Sequence, residues 1–171
     1  MALAALASAA WAQSGTATTP AQAQADGETA ALIKAANDAE IAAAQLALER
    51  SQSDEVRSFA SMMIDDHQKS DQQVAPFVPG GGLATGPAAR FGQEAAQQKQ
   101  QLSGLSGAAF DSAYVADQAQ EHSRLLAALD RALDASAGRE PSFQELLRTT
   151  REMAAGHLTR ARQLQTQLRG R

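Results

Sequence analysis

Residues 76–87 read PFVPGGGLATGP, three prolines and four glycines in twelve positions. Proline removes a backbone donor and fixes φ, while glycine costs extra entropy to order, so no regular helix passes through this stretch. The sequence on both sides is rich in alanine, glutamine, leucine and arginine, all good helix formers. Valine and isoleucine are scarce, and no stretch alternates apolar and polar residues for long, so strands are not expected. The break therefore divides an all-α chain into two helical halves.

Each half is interrupted once more. A first helix is expected over 28–49 and a second from Ser53, a good N-cap followed by Asp54 and Glu55, as far as Val74. The connection over 75–107 is rich in Gly, Pro and Gln, with room for a short helix in FGQEAAQQKQQL before LSGLSG ends it. A third helix is expected over 108–136, stopped by Gly138 as C-cap. The fourth opens on Ser142 and Glu145, spaced as a capping box, and runs to Leu168. Short turns make the partners within each hairpin antiparallel. A connection that long can travel the length of a bundle, so the expected fold is a ferritin-like four-helix bundle over 28–171, two antiparallel hairpins joined by one crossover. An up-down-up-down bundle with a long loop is the alternative.

The chain has three histidines and places each on an apolar helical stripe. At 100° per residue, His67 shares a face with Val56, Ala60, Met63 and Val74, and His122 with Val115, Leu126, Leu129 and Leu133. His157 falls with Leu146, Met153, Ala161 and Leu164, and on the first helix Glu40 falls with Ile33, Ala36, Ala44 and Ala47. Heights agree within each hairpin as well, while the level of one hairpin against the other depends on the crossover. At the helical rise, Glu40 and His67 lie roughly 18 and 22 Å from their turn, and His122 and His157 roughly 24 and 26 Å from theirs. Four buried ionisable groups must satisfy one another or hold something. One carboxylate and three imidazoles form a ligand set that Zn²⁺, Cu²⁺ or Fe²⁺ accepts. Asp66 and Glu121 point about 100° away and are expected at the rim, where either can orient a neighbouring imidazole. Met63 and Met153, four residues before His67 and His157, would add soft sulfur for copper, although methionine in such a stripe is ordinarily core. A buried polar network without metal is the bland alternative.

Several chemistries are excluded. Three residues before the histidines stand Ile64, Ala119 and Ala154, so the Glu-x-x-His pairs of di-iron carboxylate bundles are missing. PGGGLATGP lacks the Lys-Ser/Thr ending of a phosphate loop, no nucleophile elbow occurs, and without cysteine there is no thiolate ligand or disulfide. A non-enzymatic protein is expected. The net charge is −4 with both signs scattered, which gives nucleic acid no basic patch.

The leading residues MALAALASAAWAQS form a small-residue apolar run ending in Ala10-Trp11-Ala12, the pattern of a signal-peptidase site. The run is too short to span a bilayer, which takes about 20 residues. Residues 1–12 are thus expected to be a signal peptide and 13–27 a disordered spacer, leaving a mature chain without a transmembrane segment.

The stretches AEIAAAQLALERSQSDEVRSFASMMIDDH, LSGAAFDSAYVADQAQEHSRLLAAL and HLTRARQL resemble a bacterial family of exported ferritin-like proteins, domain-of-unknown-function family 4142, often labelled predicted outer membrane protein. The most specific part is LSGAAFD followed by Tyr114 and His122. The resemblance implies a periplasmic or envelope-associated four-helix bundle whose recurrent Glu and His positions are here Glu40, His67, His122 and His157. It implies no settled activity. The segment 79–87 departs from the family's simpler link. Two functions are compatible with these residues: a transition-metal-binding bundle for metal handling or envelope stress, and a structural module that docks to an envelope partner or to its own copies.

Overall fold

The computed structural model describes residues 18–80 and 86–170; the expected signal peptide lies outside them. Within them the protein is all-α, with five helices: α1 Pro20–Arg50, α2 Asp54–Val74, α3 Pro87–Ser103, α4 Gly107–Asp134 and α5 Pro141–Arg169. A 3₁₀ turn, Ala75–Phe77, extends α2. No helix among the described residues is long and apolar enough to cross a membrane.

Two expected boundaries are corrected. The spacer over 13–27 is helical from Pro20 onward. Thr19 and Gln22 form a reciprocal capping box, and Pro20 stands at the first helical position, where its missing N–H costs nothing. The added turns also have partners: Gly27 is buried against Pro79, and Asp26 pairs with Arg139 beyond α4. Residues 13–17 lie outside the described residues. The fourth expected helix starts earlier than Ser142, with Glu140 at the N-cap and Pro141 next, so Ser142 and Glu145 form no capping box. Proline's preset φ decides the start.

The described parts of the connection over 75–107 are also more regular than the composition suggests. Gly86, at φ 87°, supplies the left-handed turn that L side chains resist, and Pro87 then opens α3. Ser53 caps α2 as expected, accepting from the Val56 N–H at 3.4 Å. At the other end of the chain's long hairpin, α4 stops at Asp134 and Gly138 lies in the following turn, at φ 77°.

Helix direction is set by the core. One apolar cluster joins Ala43–Ala47 of α1, Val56–Met63 of α2, Phe110–Ala119 of α4 and Leu158–Leu164 of α5. A second joins Ala30–Ala36 of α1, Val74 of α2, Leu125 and Leu129 of α4, and Phe143–Ala154 of α5. The C-terminal part of α1 thus meets the N-terminal part of α2, and α4 and α5 are likewise antiparallel. It also follows that α2 and α4 run the same way, so the chain between them must return along the core. Helix α3 makes that return on the outside, packed mainly on α1 with a lighter contact to α4.

Between the two clusters lies a polar layer. Asn37 and Glu40 of α1, His67 and Ser70 of α2, Gln118, Glu121 and His122 of α4, and His157 of α5 are all buried there. Removing core volume on either side should be costly. Leu147, fully buried in the second cluster, is expected to lose about 2–5 kcal/mol on replacement by alanine, read from urea unfolding midpoints at unchanged m value.

Candidate metal centre

The polar layer brings all four expected residues together. His67 and His122 are fully buried, His157 is 3% exposed and Glu40 2%. Ring centroids lie 5.2 to 5.9 Å apart. One nitrogen of each ring falls within 4.8 Å of the other two. Glu40 Oε2 is 3.3 Å from His67 Nε2 and 3.3 Å from His122 Nε2, while His122 Nε2 is 3.2 Å from His157 Nδ1.

Tautomers follow from the other ring nitrogens. His122 Nδ1 stands 2.9 Å from the Gln118 backbone carbonyl, which can only accept, so Nδ1 carries the proton. His67 Nδ1 stands 2.9 Å from Asn37 Oδ1. The Asn37 amide is oriented by its Nδ2, which donates to Asp71 Oδ1 at 2.8 Å and Ser70 Oγ at 3.0 Å, so Oδ1 accepts and His67 Nδ1 donates. His157 Nε2 donates to Asp66 Oδ2 at 3.1 Å. Burial pulls the Asp66 carboxyl up, but its bonds from His157 and Lys69 outweigh that and hold it below its ordinary value, hence ionised.

All three outward nitrogens therefore carry protons, and all three inward ones present lone pairs. They face one another and a carboxylate. A hydrogen bond between His122 and His157 needs one ring to become a cation, yet desolvation lowers all three histidines, His67 to about 4. Glu40 Oε1, Glu40 Oε2 and His67 Nε2 have no hydrogen-bond partner, although the contacts at 3.3 Å exist. Buried acceptors without donors cost free energy. A cation among them removes the cost. In a tetrahedral site with metal–ligand bonds near 2.0–2.2 Å, ligand atoms sit about 3.3–3.5 Å apart; three contacts here, at 3.2 to 3.3 Å, come close to that spacing, while the three histidine nitrogens as a set lie within 4.8 Å.

Glu40 is raised to about 7, first by desolvation, with the His122 charge opposing and Asp117 assisting. Asp117 and Glu121, on the face of α4 beneath α3, are raised to about 6 and about 7 by burial. Glu121 pairs with Arg124 at 2.7 Å, and Arg124 reaches Glu94 of α3 at 3.1 Å. Of the two rim acids expected from the sequence, only Asp66 orients an imidazole. Met63 is buried in the first apolar cluster. Met153 lines an open groove of about 560 Å³ between α2 and α5, together with Asp66 and His157.

Sequence reasoning singled out Asp66, which stands behind His157, but missed the groups that fix the other two rings. Asn37 lies three positions before Glu40 and Ser70 three after His67, so helical neighbours of the four ligands were the available signal. The Gln118 carbonyl left none, since any residue carries one.

A family model described as "Domain of unknown function (DUF4142)" matches residues 12–164. No curated protein and no solved structure matches the chain.

The metal-free protein has a pH signature. Folded Glu40 holds its proton up to about 7, against an ordinary value of 4.5. Between those values the folded state binds more protons than the unfolded, so this group's contribution to stability falls as pH rises. Glu40→Gln removes that loss. From pH 5 to pH 8 the variant should gain on the wild type by up to about 3 kcal/mol, measured by urea unfolding in chelator; a difference that stays flat would mean the carboxyl ionises normally. His67 acts oppositely, its stabilisation fading as pH drops from 6.5 toward 4.

Proposed function

Because the chain belongs to the DUF4142 family, whose description assigns no activity, we propose a function from the site's own chemistry: it binds one transition-metal ion through Glu40, His67, His122 and His157. The carrying observation is the set of tautomers, with each ring donating its outward N–H to an oxygen and turning a bare lone pair inward. Metal-ligating histidines are oriented in this way, by carbonyls and carboxylates behind them. Three neutral imidazoles and one carboxylate suit Zn²⁺, Cu²⁺ or Fe²⁺.

The proposal includes a ferritin-like four-helix arrangement of α1, α2, α4 and α5 with α3 as the crossover. It is supported by the shared direction of α2 and α4. It also includes export, with a periplasmic or envelope location, supported by the apolar leader in the sequence. The role is metal handling or envelope stress tolerance without catalysis. A metal-free network, serving an interaction module, is favoured by one feature: burial raises the Glu40 carboxyl to about 7, so its protonated form can donate to an imidazole.

Metal titration separates the two. The chelator-stripped protein should take up one equivalent of Zn²⁺ or Co²⁺, and an ion at 100 times its Kd should add about 2.7 kcal/mol. Replacing His67 or His157 by alanine should abolish the gain, and Asn37→Leu should weaken affinity about 10- to 100-fold. Binding expels the Glu40 proton, so apparent affinity should climb with pH up to about 7. No thermal shift with Zn²⁺, Cu²⁺ or Fe²⁺ would leave the interaction module.

A further inference from the structure

The open groove between α2 and α5, about 560 Å³, has the size that small organic ligands occupy. Glu152, Gly156 and Arg160 line it from α5 at four-residue intervals, so the three form one row along that helix. Half-buried Met62 and Met153 add apolar walls. Gly156 stands in the middle of α5, where glycine is a poorer helix former than any residue but proline. The chain itself does not require it, since a Cβ built there meets nothing within 4 Å. The charges on either side are open as well. Among the described residues neither Glu152 nor Arg160 forms an ion pair, and Arg151, beside Glu152, is held by Asp130 at 2.5 Å. The other two charges on the groove, Lys69 and Asp66, neutralise each other at 3.3 Å. Eight residues of helix, about 12 Å, separate Glu152 from Arg160. A row of acid, gap and base is matched by a molecule with an ammonium at one end and a carboxylate at the other.

We propose that this groove binds a short peptide with free ends, its ammonium at Glu152, its carboxylate at Arg160 and its backbone across Gly156. An extended chain covers about 3.3–3.6 Å per residue, so about three residues fill the interval. The missing Cβ lets the peptide lie against the α5 backbone. Methionine walls adapt to side chains of different shape, so selection falls on length and on the two end charges rather than on sequence. The proposal is independent of the metal centre except in one consequence. Asp66 and His157 also line the groove, so a seated peptide covers the imidazole nearest solvent and slows exchange of an ion bound there.

The test is titration of the metal-free full chain with trialanine, followed by amide NMR shifts, which should concentrate along the facing parts of α2 and α5. Acetylating the peptide's N-terminus or amidating its C-terminus should each weaken binding at least threefold. Glu152→Gln should weaken trialanine by a similar factor and leave the acetylated peptide unaffected, and Arg160→Gln should do the same with respect to the amide. Gly156→Leu should abolish binding while the melting temperature holds or rises, because leucine favours helix and the space is open. No shifts at millimolar trialanine, equal binding of the end-blocked peptides, or binding that survives Gly156→Leu overturns the proposal. In Co²⁺-loaded protein, trialanine should slow cobalt release to chelator several-fold. A chain that takes up no Co²⁺ sinks the metal reading alone and leaves the peptide titration to stand on its own result.

Discussion

Four electron-pair donors confront one another in a layer that water does not reach, and the rest of the architecture is arranged around that confrontation. Asn37, the Gln118 carbonyl and Asp66 each take the outward proton of one ring. None of the three rings can turn without losing that bond, so the inward lone pairs are fixed in direction. The same layer divides the apolar core into two clusters. A slip of one helix by a turn, about 5.4 Å, would set an imidazole against leucine and leave its partners bare. Buried polar groups of this kind cost stability and specify register. That account explains why an alanine-rich core, with few large side chains to interlock, still admits one alignment of α1, α2, α4 and α5.

What could be read from the sequence was what helical periodicity controls. The stripes that carry Glu40, His67, His122 and His157 come from counting at 100° per residue, and their matching heights within each hairpin come from counting to the turns; the level of one hairpin against the other was set by the crossover and was not legible. Both operations need only a regular backbone. The helical class and the Ser53 cap were legible for the same reason. Where local chemistry competes with composition, reading failed: Thr-Thr-Pro-Ala-Gln looks like spacer, yet Thr19, Pro20 and Gln22 supply a complete helix start. The length of α1 then depends on Pro79 and Arg139, partners distant in the chain, which no local pattern announces.

Glu121 shows the limit from the other side. Its position just before His122 mirrors that of Asp66 before His67, and sequence spacing gave the two acids equal standing. In the folded chain Asp66 faces α5 and meets His157, whereas Glu121 faces α3 and meets Arg124. The difference lies in which neighbour each helix face receives, and that is decided by the crossover. With α3 laid over the α1–α4 seam, Glu121 is enclosed; with none of the described helices over the α2–α5 seam, Asp66 stays one-third exposed.

The two seams also assign different tasks to the two sides of the proposed centre. On the α2–α5 side, the groove reaches His157 and Asp66, so an ion arriving from solvent meets the one imidazole whose supporting carboxylate is already ionised and hydrated. His157 is also the least buried of the three rings, and its departure would open the site while Glu40, His67 and His122 keep their places. On the α1–α4 side α3 lies over the seam and leaves a crevice of only about 10 Å³ at Glu40, and burial raises the carboxyls there, Glu40 and Glu121 to about 7 and Asp117 to about 6. In the proposed reading, a metal ion would therefore enter and leave by the open seam, since the crossover helix lies over the other one.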